Sequence, residues 1–129
     1  MWGDRRLLDL FGIEIPIVQA PMAGAMDVEL AVAVSEAGGL GSLPAAMLSP
    51  DQLREQVAQF RSRSSKPLNV NFFCHVAATP DPDREARWRD RLAPYYREFG
   101  LDPEAFTPFA VRAPFDSAFC SIVEEARPE

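Results

Sequence analysis

Three short stretches of this 129-residue sequence carry the groups that chemistry or ligand binding would use: Gln19-Ala20-Pro21-Met22-Ala23-Gly24, Asn69-Val70-Asn71 and Cys74-His75. The first joins an apolar run to a Pro/Gly break. At the carboxyl end of a parallel strand, where such sheets place ligands, the small residues Ala20, Ala23 and Gly24 beside Pro21 and Met22 would let a flat ring approach the backbone. A main-chain N–H could then face an acceptor on the ring. The same Pro and Gly also suit a tight strand-to-helix turn built for geometry alone, and composition leaves both readings open. Asn71 lies near the end of a run filled with Leu68, Val70, Phe72 and Phe73. If it points inward its amide needs a partner, because an unsatisfied buried amide costs about 1–3 kcal/mol. A ligand with donors and acceptors would supply one, as would a backbone loop; the ligand is preferred. Asn69 falls on the same face by the period of two, one layer deeper.

Cys74-His75 and the run Ala37-Gly38-Gly39-Leu40-Gly41-Ser42-Leu43 are weaker candidates. A histidine at a strand end can serve as a base, but no Ser, Cys or Asp spacing builds a triad around His75, so a loop-anchoring hydrogen bond is expected of it. The glycines sit between a helical pattern and the next strand. A dinucleotide fingerprint must follow a strand and open a helix, so these read as a helix stop and a close-packed start of a strand.

These residues need elements to position them. Residues 5–12 form an amphipathic lead-in ended by Gly12, and 13–20 are β-branched and apolar with Pro16 at the start of a strand. Asp27 caps a helix over 28–37, which Gly38-Gly39 ends. A second strand follows at 40–43. Ser49-Pro50-Asp51-Gln52 combines an N-cap Ser, Pro at the first helical position and Gln at the capping-box place, and Leu53, Val57 and Phe60 then recur at helical spacing. The third strand is expected over 68–73. Strands alternating with helical patterns predict a parallel α/β sheet. The stretch 76–113 breaks that rhythm and reads as an insertion holding a charged helix over 84–99, anchored by Trp88, Leu92 and Tyr95; Tyr95 and Tyr96 are expected to pack, not to touch substrate. Pro103, Pro108 and Pro114 punctuate the loop after it. A last helix over 115–126 turns Phe119, Ile122 and Val123 inward.

Composition narrows the function classes. With 13 Lys+Arg against 19 Asp+Glu the formal net charge is −6, which disfavours nucleic acid and anionic membrane surfaces as partners. Two cysteines far apart, with one histidine in the whole sequence, make a zinc site improbable and predict reduced cytosolic thiols. No apolar run is long enough to span a membrane, and the amino terminus lacks the pattern of a signal peptide. Three strands do not close a barrel, which takes eight units and typically about 250 residues. The expectation is therefore the front part of a larger protein.

Taken together, the residues from Pro16 to Gly24, the stretch from Ala31 to Leu43, Ser49-Pro50 and Asn69-Val70-Asn71-Phe72-Phe73 resemble the nitronate monooxygenase family. The segment Arg112-Ala113-Pro114-Phe115-Asp116 and Tyr95-Tyr96 are similar to one bacterial branch of it. The resemblance implies an α/β fold: the N-terminal part, about three βα units plus the insertion, of an FMN-binding TIM (β/α)8 barrel spanning 1–129. It implies that Ala20, Pro21, Met22, Ala23 and Gly24 lie beside the flavin ring and that Asn71 hydrogen-bonds it. The implied reaction is oxidation of an alkyl nitronate by O₂ to a carbonyl compound and nitrite, with FMN carrying the redox chemistry. The family's catalytic histidine follows a later strand, expected beyond Glu129, and the phosphate grip comes from late strands, so His75 is not promoted to that role. On this account the 129-residue chain neither holds FMN tightly nor turns over. Flavin-dependent enoyl-acyl-carrier-protein reductases share the fold and the Ala-Gly-Gly-Leu-Gly run, but usually lack Ala-Pro-Met-Ala-Gly after the first strand. A non-catalytic remnant that pairs its sheet edge with a partner is the alternative from another class.

Overall fold

The computed structural model describes residues 2–76, 79–105 and 114–129. In chain order they form α1 (Arg6–Phe11), α2 (Val28–Glu36), β1 (Gly41–Pro44), a 3₁₀ turn (Ala45–Met47), α3 (Pro50–Arg63), β2 (Leu68–Asn71), α4 (Pro82–Glu98) and α5 (Ser117–Ala126). They fall into two compact units, Met1–His75 with Arg112–Glu129, and Val76–Val111.

The helix ends form where the residue types require them. Gly12 takes the left-handed conformation (φ 64°) and donates its N–H to Leu8 O, closing α1. The Asp27 carboxylate accepts the Glu29 N–H at 3.0 Å to open α2. Ser49 and Gln52 make the reciprocal capping box of α3, Ser49 Oγ accepting the Gln52 N–H at 3.2 Å and Gln52 Oε1 the Ser49 N–H at 2.8 Å. Asp116 does the same work for α5 by accepting the Phe119 N–H.

β1 and β2 pair in parallel, from Gly41 with Leu68 to Pro44 with Asn71. On the other side of β1 a parallel bridge joins Val18 to Leu40. The expected strand over 13–20 contracts to this bridge. Pro16 has no N–H to give to a ladder, Glu14 and Ile15 both donate to Gly38 O, and the main chain leaves the sheet after Gln19. β2 stops at Asn71 rather than 73 because its partner β1 ends at Pro44. Past that point the Phe73 carbonyl accepts the Phe115 N–H at 2.8 Å. α4 begins two residues before the expected position and α5 two residues after it.

One face of the sheet meets the helices. Leu43 and Leu68 are covered by Ala31 and Val32 of α2, Leu53, Val57 and Phe60 of α3, and Phe119 and Ile122 of α5. Each large apolar side chain fully buried here contributes about 1.5–3 kcal/mol. Phe72 adds ring contacts with Phe115 and Phe119, at centroid distances of 4.8 and 5.3 Å. α2 lies so close to β1 that a Cβ at Gly41 would stand 2.1 Å from Ala31 O. Buried Ser35 locks this contact, accepting the Gly41 N–H and donating to Pro67 O. A second, smaller cluster of Leu8, Ile13, Leu40 and Phe11 lies under the amino ends of the strands.

In the unit Val76–Val111, Asp81 caps α4 by accepting the Arg84 N–H. The expected anchors do not anchor. Trp88, Leu92 and Tyr95 are 54%, 39% and 60% exposed, whereas Ala93 is buried and Tyr96 half-buried. An apolar stripe is covered only if another element faces it, and among the described residues of this unit there is no second helix or strand. Pro108, Arg112 and Ala113 lie outside the described residues.

Candidate functional site at the carboxyl edge of the sheet

The sheet face turned away from the helices is polar. Ser42 pairs with Asn69 and Pro44 with Asn71, so side-chain alternation brings these four residues to that face in two layers. The lower layer is a connected row running from β2 through β1 to the segment just past the Val18 bridge. Asn69 Nδ2 donates to Ser42 Oγ at 3.0 Å, and Ser42 Oγ donates to the main-chain oxygen of Gln19 at 2.7 Å. The Ser42 N–H donates to Gln19 Oε1 at 3.2 Å, and Gln19 Nε2 donates back to Ser42 O at 3.4 Å. Ser42 and Gln19 are both buried, so this row satisfies groups that would otherwise be costly.

Immediately beyond the row the chain opens into the predicted loop. Ala20, Met22 and Gly24 are exposed, Pro21 and Ala23 half-buried. Met22 to Ala25 form a β-turn in which the Ala25 N–H donates to Met22 O at 3.1 Å and Gly24 takes φ 79°. Its left-handed third position is the one that favours glycine. Among the described residues the N–H groups of Ala20, Met22, Ala23 and Gly24 donate no hydrogen bond. A shallow open cleft begins where the loop meets α2, lined by Gly24, Ala25, Met26, Asp27 and Leu30.

Asn71 closes β2 at the same edge of the sheet, with Pro44 as its pair. It is half-buried, and its side chain makes no hydrogen bond among the described residues. His75 and Cys74 are exposed just past it. The hydrogen bond expected to anchor His75 is not found among the described residues; its ring lies edge-on to Phe73 at 6.1 Å instead. Among the described residues no group of His, Cys, Asp and Glu gathers to hold a metal ion. The glycines of 38–41 behave as the sequence predicts: Gly38 has φ 92° behind α2, and Gly41 leaves no space for a side chain. Charge is concentrated elsewhere. Arg63 of α3 pairs with Glu29 of α2, and Lys66 donates to Glu14 at 2.7 Å, each cation holding its carboxyl group below the ordinary range by hydrogen bonding. These pairs tie elements together and take no part in the polar face.

Gln19 and Ser42 are the site-shaping residues that spacing alone does not single out. Their bonds span 23 positions, and the visible signal is only a polar residue at the last ladder position before Ala-Pro.

Parallel strands packed on helices, with a polar carboxyl edge and a turn of small residues beside it, define an α/β protein of the parallel-sheet class. The family model described as Nitronate monooxygenase matches residues 4–104, and the chain belongs to that family. It is 40% identical to the nitronate monooxygenase of Paraburkholderia phytofirmans over 98% of its own length and 35% of the relative's. It is 45% identical to the nitronate monooxygenase of Pseudomonas aeruginosa over 76% of its own length and 28% of the relative's. The chain thus spans about a third of the length of the curated relatives it matches. Among solved structures, the nitroalkane oxidase of Streptomyces ansochromogenes is 30% identical with a TM-score of 0.69, over 92% of this chain and 33% of that one. FabK of Thermotoga maritima is 36% identical with a TM-score of 0.50, over 74% of this chain and 28% of that one. The fold is accordingly an N-terminal part of a TIM (β/α)8 barrel, about three βα units, in which β1 and β2 pair in parallel and the first unit contributes the parallel bridge at Val18. No described helix is long and apolar enough to cross a membrane.

Proposed function

We propose that this chain carries the ring-facing part of an FMN site in a nitronate monooxygenase, whose substrates are an alkyl nitronate and O₂. The observation that carries the reading is the pairing of unused polar groups at one sheet edge. The N–H groups of Ala20, Met22, Ala23 and Gly24 are unpartnered among the described residues, and so is the half-buried amide of Asn71. A planar ring edged with alternating donors and acceptors fits that set. The small side chains of the loop leave room for the ring to approach the backbone, and the Met22–Ala25 turn fixes the direction of the N–H groups. FMN, when bound, supplies the redox chemistry that oxidises a nitronate to a carbonyl compound and nitrite. Pro21 and Ala23 would carry apolar contact with the ring, and Asn71 would donate and accept at its polar edge.

In this reading 1–129 is one partial barrel domain with 76–113 as an insertion. No catalytic base is assigned to it: His75 is exposed and unbonded among the described residues, and the base belongs to a later strand of the family barrel. A cytoplasmic setting with Cys74 and Cys120 as free thiols goes with it, as do small-molecule partners rather than nucleic acid or membrane, in keeping with the net charge of −6.

The test is a titration of the 129-residue chain with FMN followed by amide NMR, alongside O₂ uptake with an alkyl nitronate. Saturable shifts at Ala20, Met22, Ala23, Gly24 and the Asn71 side chain are expected, with no turnover. Absence of those shifts overturns the ring-facing assignment; robust nitronate-dependent O₂ uptake overturns the absence of a base. The similarity to FabK supports a second reading, an enoyl-thioester reductase, for which NADH oxidation with an enoyl thioester would decide.

A further inference from the structure

The parallel ladder beside β1 has a chemical obstacle at its third step. Leu40 bonds regularly with the first strand, its N–H donating to Ile17 O and its carbonyl accepting the Gln19 N–H. Two residues on, a continuing ladder would have the Ser42 N–H donate to Gln19 O and the Ser42 carbonyl accept an N–H from residue 21. Residue 21 is proline and has none. The structure solves this with a side chain. Gln19 Oε1 accepts the Ser42 N–H and Gln19 Nε2 donates to Ser42 O, while the Gln19 main-chain oxygen is satisfied by Ser42 Oγ. A primary amide has the donor and acceptor of a peptide group, so the sheet is completed without the main chain. The same Nε2 reaches Sδ of Met26, the residue just past the turn, so one side chain grips both ends of the loop.

We infer that Gln19 is a surrogate peptide group that ends the first strand and sets the position of the Pro21–Gly24 loop, making it a positioning residue for the ligand that docks there. The ligand part of this inference rests on the FMN reading above. Gln19 is buried and its side chain bonds to Ser42 and Met26 on either side of the loop, so it is not assigned any contact with the ring.

The experiment compares the wild-type chain, Gln19→Leu, and Gln19→Leu combined with Pro21→Ala, by amide hydrogen exchange and by the FMN titration. Gln19→Leu removes the surrogate at nearly constant volume. Exchange at the Ser42 and Ala25 amides should rise about tenfold, the equivalent of one net hydrogen bond, while amides within α3 stay within about twofold. The FMN response at Met22, Ala23 and Gly24 should weaken by a similar factor. Adding Pro21→Ala restores a main-chain donor and lets the ordinary ladder form. Ser42 protection should then return, but the FMN response should not, because the loop has been drawn into the strand. A purely structural Gln19 would recover both, which overturns the positioning role. Unchanged exchange at Ser42 and Ala25 in Gln19→Leu overturns the surrogate itself. A wild-type chain blind to FMN defeats the flavin reading alone, and the exchange arm still decides whether Gln19 sets the loop. If Gln19→Leu does not fold, Gln19→Glu, which keeps the acceptor and loses the donor, is expected to raise exchange at the Ala25 amide while leaving the Ser42 N–H protected.

Discussion

On the side of the sheet that meets α2 and α3, Leu43 and Leu68 are fully covered and Gly41 has no room even for a methyl group. On the opposite side the same two strands present Ser42, Asn69 and Asn71, linked in their lower layer to Gln19 and open in their upper one. The first face is determined by volume and the second by hydrogen-bond inventory. The contrast lies in what each face has left over: the helix face is committed to packing, whereas the polar face is satisfied up to one layer and left with spare polar groups above it.

Substitutions that cross the two rules should break the contrast in a graded way. Gly41→Ala forces a Cβ against the Ala31 carbonyl and the Ser35 hydroxyl, and a loss of about 3 kcal/mol or more is expected in urea denaturation. A loss under about 1 kcal/mol would mean that α2 can shift away from β1. Ser42→Ala leaves the packing face intact but strips the Gln19 carbonyl and the Asn69 amide of their shared partner; about 1–2 kcal/mol should be lost by the same measurement. Asn71→Leu sharpens the comparison from the other side. Its amide has no partner among the described residues, so stability should stay within about 0.5 kcal/mol while the FMN-induced shifts disappear.

The smallest effect concerns neither face. The Glu14 and Glu29 carboxyl groups are held low by hydrogen bonds from Lys66 and Arg63. A group with a lowered folded pKa contributes stability above its unfolded value, which is lost as pH falls through the folded one. The denaturation midpoint should therefore drop modestly below about pH 4.5, where unfolded glutamate titrates, and the drop should shrink in high salt because these pairs are exposed. A midpoint that is flat to lower pH would show that the pairs contribute nothing.

Much of this organisation is legible in single residue types with local consequences. Asp27, Ser49 with Gln52, Gly12 and Gly38 each act within four positions, so their roles follow from spacing. The loop 20–24 and Asn71 are legible as candidates for the same reason: small residues after an apolar run, and an amide in an apolar strand. What is not legible depends on partners distant in sequence. The shortening of the first strand follows from Glu14 and Ile15 bonding to Gly38, and the role of Gln19 from Ser42. Trp88, Leu92 and Tyr95 mislead because apolar spacing on a helix reports a stripe, not the presence of something to cover it.

The turn after α5 has a consequence of its own. Arg127, at φ 44°, swings the chain so that the Glu129 N–H meets Leu68 O at 3.1 Å while its carboxylate receives the Leu68 N–H at 2.8 Å and the Arg61 guanidinium. Main chain and side chain of one acidic residue thereby satisfy both peptide groups of Leu68 on the outer margin of β2. A strand laid along β2 at that step would have to displace a carboxylate held by Arg61 before its own main chain could reach Leu68.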